Sequence, residues 1–248
     1  MPQPHIFQTL VRVIAGLPGY PKLNLLDLSC GEGELMSRLQ ADGVTVRGTH
    51  FREDDYIVEN RERLAALTID SNVDLTKELP YPAESFDVVV MSEVLEHLPA
   101  HLPVVASVSR VLRKGGFFVF TTPNIHRFHS RMRYLFTGTH KLIRRRAGWD
   151  LEPNDLYAYH INCVDFPFMH AALHAHGLNV EALHFTRFKW YRFEWLLAYP
   201  CIWLRCLLNR ETAGNANFQT GERALFHWMT HPALLASEQL CVVSRKRN

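Results

Sequence analysis

Cysteine is scarce in this sequence. There are five in 248 residues, Cys30, Cys163, Cys201, Cys206 and Cys241, and no two are spaced C-x-x-C. An odd count without paired spacing excludes a disulfide scaffold and fits a reducing compartment. Long apolar runs are also missing, since none reaches the ~20 residues of a spanning helix. The first residues, MPQPHIFQTL, lack a charged stretch followed by an apolar one, so no secretory signal is expected. A cytoplasmic protein is the expectation. Charge of one sign is lacking too. Lys and Arg number 27 against 25 Asp and Glu, and a net +2 identifies no partner. No internal repeat or low-complexity tract is visible. What is present is a 47% apolar, 21% charged chain. That composition excludes a disordered or collagen-like protein and suits one domain with insertions.

Strand and helix patterns alternate. Residues 6–16 read as a helix and Asn24–Leu28 as a strand. A glycine-bearing turn leads into a helix that stops at Gly43. Val44–Thr49 is a second strand, Asp55–Leu67 a helix, and a third strand lies within Thr68–Val73. Phe86–Met91 is a continuous apolar run, as in a parallel strand buried on both faces. Leu102–Leu112 is an amphipathic helix and Phe117–Thr121 a strand. Val164–His176 is helical, and Asn179–His184 and Gln239–Ser244 are strands. This alternation predicts an α/β fold with a doubly wound, mostly parallel sheet and an antiparallel last strand.

Leu25-Leu26-Asp27-Leu28-Ser29-Cys30-Gly31-Glu32-Gly33 is a strand, a tight turn and a helix start. Glycines there let a ligand approach the backbone, and the helix start offers free N–H groups. Alone, G-x-G is weak evidence. Three more motifs follow in order: Leu79-Pro80-Tyr81-Pro82 through Phe86-Asp87, Ser92-Glu93-Val94-Leu95-Glu96-His97, and Arg110-Val111-Leu112-Arg113-Lys114-Gly115-Gly116 with Thr121-Thr122-Pro123-Asn124. Together they resemble class I S-adenosylmethionine-dependent methyltransferases over about residues 23–187, with a last strand near 240–246.

The resemblance implies a single Rossmann-like domain, 1–248. Within it, 1–22 is an N-terminal helix, 23–123 the cofactor-binding core and 124–160 a basic cap. Residues 161–187 hold a helix and strand six, 188–238 an aromatic-rich helical insertion, and 239–248 the last strand. It also implies S-adenosyl-L-methionine as cofactor. Asp27, Ser29, Cys30, Gly31 and Gly33 are expected at its methionine end, Asp74 and Leu75 at the adenine, and Ser92 beside the sulfonium. A side chain at Gly31 or Gly33 is expected to take space the ligand needs. Two positions depart from the family pattern. The first motif glycine is Ser29, so the turn must permit a Cβ. Where an acid usually holds the ribose, this chain has His50; either His50 or the nearby Glu53 or Asp54 is the expected partner.

An oxygen acceptor benefits from a general base, and histidine suits neutral pH. Of 14 histidines, His160 and His97 are the candidates, each with a purely structural role as its alternative. His97/His101 and His170/His174 have spacings seen in metal sites, but Pro99 interrupts the first pair and Asp165 faces away from the second. No metal is expected.

Residues 124–149 hold Arg127, Arg131, Arg133, Lys141, Arg144, Arg145 and Arg146 and no acid. The insertion carries Lys189-Trp190-Tyr191-Arg192-Phe193-Glu194 and then WLLAYPCIWLRCLL, Trp195 to Leu208. The first suits a phosphate-bearing acceptor and the second a membrane interface. Both also read as a solvated arm and a packed hairpin. The expected function is O-methylation of a small or lipid-linked acceptor, a sugar, polysaccharide precursor or quinone. Segments 126–146 and 188–210 are expected to meet an anionic membrane surface, giving a peripheral location. An RNA-modifying methyltransferase and a non-catalytic scaffold are the alternatives; a pI of 8.3 and no recognisable RNA module disfavour nucleic acid.

Overall fold

A computed structural model describes residues 4–51, 61–140, 160–187, 194–208 and 216–248. The chain forms α1 (Pro4–Ala15), β1 (Asn24–Leu28), α2 (Glu34–Ala41), β2 (Thr45–Thr49), α3 (Arg61–Ala65), β3 (Thr68–Asp70) and β4 (Phe86–Ser92). Then come α4 (Leu102–Val111), β5 (Leu112–Pro123), α5 (Phe128–Thr137), α6 (Phe166–Ala175), β6 (Leu178–Phe185), α7 (Glu194–Leu208), α8 (Ala216–Met229), α9 (Pro232–Ala236) and β7 (Gln239–Lys246).

The seven strands lie in the order β3-β2-β1-β4-β5-β7-β6. All pairs from β3 to β5 are parallel, and β7 is antiparallel to both β5 and β6. The expected doubly wound sheet is therefore present. Its middle strands read as unbroken apolar runs because both faces are covered. In β4, Val88, Val89, Val90 and Met91 are all buried. One face packs against α4 and α6, with Val104, Val105, Val108, Met169 and Leu173 in the core. The other takes the i, i+4, i+8 stripe of α1, Ile6, Leu10 and Ile14, together with Leu35 and Leu39 of α2. The chain builds outward from β1 to β3, then crosses back to β4 on the other flank. That reversal opens a crevice at the carboxyl ends of β1 and β4.

The third strand, Thr68–Asp70, falls within the expected span and stops where Ser71 and Asn72 begin a turn in which Asn72 has φ 60°. One boundary differs informatively from the sequence reading, the start of β5. Strand β5 starts at Leu112, five residues before Phe117. Arg-Lys-Gly-Gly looks like a turn, but Leu112 pairs with Phe86, and the register then shifts before Val88 meets Phe117. Salt bridging of Arg113 to Asp87 at 2.8 Å supports this extension.

The basic segment is not uniformly solvated. Arg127 is buried, with its guanidinium 3.8 Å from Glu238. Just before it, the Asn124 amide donates to the carbonyls of Leu234 at 2.8 Å and Ser237 at 3.0 Å, tying β5 to the end of α9. Lys141 and Arg144–Arg146, like Lys189–Phe193 and Arg210, lie outside the described residues. The insertion contributes α7 and α8, which pack on each other. No helix among the described residues is long and apolar enough to cross a membrane.

Candidate functional site

Residues 29–33 turn the chain from β1 into α2. Three of them have left-handed backbone: Ser29 at φ 62°, Gly31 at φ 56° and Gly33 at φ 71°. Glycine meets this conformation without a Cβ penalty, whereas a serine is strained there. The end of β2 holds the turn from beneath. The Ser29 N–H donates to Thr49 Oγ1 at 3.0 Å and the Cys30 N–H to the Thr49 carbonyl at 3.1 Å. His50 Nε2 lies 2.8 Å from the Gly31 carbonyl oxygen, so it carries the proton and donates. The two glycines differ in their surroundings. A Cβ on Gly31 would meet nothing, while one on Gly33 would run into Leu67 and Leu64. Gly33 thus also lets the turn pack closely against Leu64 and Leu67.

Above the turn lies a cleft of about 240 Å³, lined by residues of the turn, the end of β4 and Phe7 of α1. Asp27, Glu32, Glu34 and Glu93 line it, and no Lys or Arg does among the described residues. Asp27 is 2% exposed, and burial alone pushes its carboxyl up to about 7. Burial also raises the Cys30 thiol far above its usual range, with Asp27 adding to the effect, so this cysteine is an inert neutral thiol.

Of the sequence-predicted cofactor residues, Asp27, Ser29, Cys30, Gly31 and Ser92 line the cleft. Ser92 Oγ is 3.4 Å from Thr121 Oγ1. His50 sits under the turn with its Nε2 engaged. Its backbone is engaged as well, the N–H with Asp70 and the carbonyl with Val73. Glu53 and Asp54 lie outside the described residues. Asp74 folds back on its own turn, accepting from the Thr76 N–H at 2.9 Å and hydroxyl at 2.6 Å; these bonds and Lys77 hold its carboxyl below the usual range. Leu75 is part of the core.

The structure brings His97 and His160 together. Their rings meet edge to face at 4.9 Å between centroids. His97 lies on a single 3-10 turn, Leu95–His97, that follows Ser92, Glu93 and Val94 of the cleft wall. Residue 160 is held nearby because the Asn162 N–H donates to the Glu96 carbonyl at 3.1 Å and its amide to the carbonyls of Leu98 and Pro99. Beside them Glu96 is fully buried; its Oε2 accepts from the Thr122 hydroxyl at 3.3 Å, while Oε1 has no partner among the described residues. Burial and the neighbouring Glu93 push the Glu96 carboxyl well above the usual range.

One ligand atom each from Glu96, His97 and His160 falls within 4.8 Å of the others, a donor set able to hold a cation. The spacings considered from sequence do not assemble. His101 Nε2 is bound to the Leu95 carbonyl at 3.0 Å, and His174 Nδ1 to Asn179 Oδ1 at 3.2 Å. Glu93 and Glu96 were the residues that sequence reasoning passed over. Their signal was present, since both lie within the Ser92–His97 motif.

Residues 26–120 match a family model described as a methyltransferase domain. The chain is 38% identical over 97 residues to the 27-O-demethylrifamycin SV methyltransferase of Amycolatopsis mediterranei, covering 37% of this chain and 35% of that one. It is 35% identical over 112 residues to the ubiquinone biosynthesis O-methyltransferase of Hahella chejuensis, covering 44% and 46%. The match thus spans between about a third and half the length of these curated relatives. An S-adenosylmethionine dependent methyltransferase from Mesorhizobium loti superposes with a TM-score of 0.52 at 18% identity, over 97% of this chain and 98% of that one. At that identity the likeness shows the fold.

Proposed function

We propose that this chain, a member of the class I S-adenosylmethionine-dependent methyltransferase family, transfers a methyl group to an oxygen of a small, quinone-like acceptor. The observation that carries the reading is the acid-lined cleft at the glycine turn. Four carboxylates, with no lining Lys or Arg among the described residues, complement a ligand bearing a sulfonium and an ammonium. A buried carboxyl held near neutrality by burial alone gains most from such a cation. We assign the methionine end to Asp27, Ser29, Cys30 and Gly31, with Gly33 shaping the turn, and the region beside the sulfonium to Ser92. Asp74 and Leu75 are assigned to the adenine, and the end of β2 at His50 to the neighbourhood of the ribose.

Bound there, S-adenosylmethionine supplies a methyl group on an excellent leaving group. The chain's own task is alignment, exclusion of water and removal of the acceptor's proton. We assign that proton to His160, with His97 packed edge-on to fix its ring. An acceptor hydroxyl within hydrogen-bond reach of the imidazole would become a better nucleophile as its proton moves to the ring nitrogen. The chain's similarity to a ubiquinone biosynthesis O-methyltransferase and a 27-O-demethylrifamycin SV methyltransferase supports oxygen as the methylated atom. A sugar or lipid-linked acceptor belongs to the same proposal, since the alignment and proton transfer are common to them.

A second reading is favoured by the Glu96–His97–His160 cluster, in which a divalent cation held there polarises the acceptor oxygen instead. One experiment separates these. The protein is incubated with methyl-labelled cofactor and a catechol, with and without a chelator. A one-methyl mass gain on a catechol oxygen that survives chelation supports the base. Loss on chelation and recovery with magnesium or zinc supports the cation. Label found only in added tRNA would overturn the small-molecule reading. Absence of cofactor binding at millimolar concentration would make the chain a scaffold on an enzyme fold.

A further inference from the structure

Two helices leave the carboxyl edge of the sheet with apolar side chains turned outward. Helix α5 follows β5, and α7 follows β6. Both strands run antiparallel to β7, so they run the same way and end at the edge where β1 and β4 end. The two helices pack alongside one another. At the tip of α5, Tyr134, Leu135 and Phe136 are exposed, Phe136 to 81%. Along α7, Leu196, Pro200, Leu204 and Leu208 recur every four residues and are all exposed. Such a ridge drifts only about 40° per step, so it forms one stripe, and Trp203 is exposed beside it. Isolated exposed apolar residues are ordinary; two adjoining helices that both present them are not.

Charge identifies the occupant. Helix α5, Phe128–Thr137, holds Arg131 and Arg133 and no acid. Arg133 is exposed within α5, immediately before the apolar tip. A second copy docked here about a two-fold axis would bring two such acid-free, cationic helices near one another. An anionic bilayer interface instead meets positive charge and an apolar wedge together, and one such signal alone binds marginally.

We propose that the α5 tip and the α7 stripe form a docking face for an anionic membrane surface. It would hold the cleft edge against the phase in which an apolar acceptor resides. That purpose rests on the acceptor reading above, whereas the docking itself does not, and the two fail separately. The test is sedimentation with vesicles of phosphatidylcholine alone and of phosphatidylcholine with phosphatidylglycerol, at low and high salt, with no cofactor or acceptor present. The protein is expected to sediment with the mixed vesicles at low salt and less at high salt.

Phe136→Glu and Leu204→Glu should each weaken partitioning about tenfold or more at either salt. Arg133→Gln should weaken it about fivefold, and only at low salt. All three side chains are exposed, so the fold should survive, as unchanged calorimetric binding of S-adenosylmethionine would report. If the wild type binds cofactor yet stays in the supernatant with mixed vesicles at every salt concentration, the docking face is wrong and the enzymatic reading stands. If Leu204→Glu instead dissociates a dimer while the wild type ignores vesicles, the face belongs to a second copy and the proposal is overturned. If vesicles bind but the cofactor does not, the docking face stands and the enzymatic reading falls.

Discussion

Replacing Asp27 by Asn removes one charge from the cleft and nearly none of its volume. Burial moves this carboxyl from 3.8 to about 7, with no cation among the described residues to reverse the shift. The sign follows. A group whose folded pKa is raised contributes stability that is complete below the unfolded value near 4. That contribution is lost as pH rises through about 7. The full shift corresponds to about 4 kcal/mol at most, and water entering an open cleft lowers that to about half. Without cofactor, Asp27→Asn should therefore be more stable than the wild type at pH 8 by about 2–4 kcal/mol, with the difference shrinking toward pH 5. A cofactor cation beside Asp27 has the opposite preference, because it favours the ionised form. Wild-type affinity should then fall by up to about tenfold per pH unit below 7. Asp27→Asn should lose that slope together with about 1.5–3 kcal/mol of binding. Denaturant melts across pH and calorimetric titrations with S-adenosylmethionine read both effects. S-Adenosylhomocysteine, which keeps the ammonium and lacks the sulfonium, identifies which cation Asp27 meets. The reasoning is refuted if wild-type affinity is flat between about pH 5.5 and 8.5, or if Asp27→Asn binds the cofactor normally.

Other expectations follow from the same geometry. His160→Ala should lower turnover by about 10²-fold with cofactor affinity unchanged. If the rate at pH 7 is unaffected, the base is His97 or there is none. Gly33→Val should destabilise the fold by about 1–3 kcal/mol, because its side chain meets Leu67 and Leu64 in addition to the strain at φ 71°. Gly31→Ala, with open space around its Cβ, should cost about 1 kcal/mol of stability and show its larger effect on cofactor binding. Denaturant melts set beside calorimetry separate these two glycines, and equal behaviour would contradict their assignment to packing and to the cleft.

The parts of the fold that the sequence made legible are those where local pattern and tertiary environment agree. Phe86–Met91 reads as a buried strand because both faces are covered, so every side chain can be apolar. Strand β5 was read five residues short because Arg113-Lys114-Gly115-Gly116 has turn chemistry; pairing with β4 and the Arg113–Asp87 bridge override it. The glycine turn was legible because its constraint is local. The Glu96–His97–His160 cluster was not, since 63 residues separate its two histidines and tertiary contacts such as the Asn162 hydrogen bonds bring them together. Asn124 belongs to a recognisable motif, yet its amide is spent on the carbonyls ending α9, more than 100 residues away. Arg127 looked like part of a solvated cationic arm because the sequence does not reveal that Glu238 comes to meet it.

The two departures from the family pattern, Ser29 and His50, are connected in space. Ser29 holds a left-handed backbone that favours glycine. Such strain persists where surrounding structure over-determines it, and here the surroundings are the end of β2. Thr49 takes the N–H groups of Ser29 and Cys30, and the His50 ring takes the Gly31 carbonyl. An acid at position 50 could not donate to that carbonyl when ionised, so the histidine is suited to clamping the turn in a way the usual acid is not. The clamp should then make the two positions interdependent. With His50 present, Ser29→Gly should stabilise the chain by about 0.5–1 kcal/mol by relieving the strain. With His50→Ala, the turn can relax, and the same substitution should gain little. Denaturant melts of the wild type, both single variants and the double variant measure the difference, expected at about 0.5–1 kcal/mol of coupling. Additivity within about 0.3 kcal/mol would mean that serine and histidine were accommodated independently, and the clamp would lose its basis.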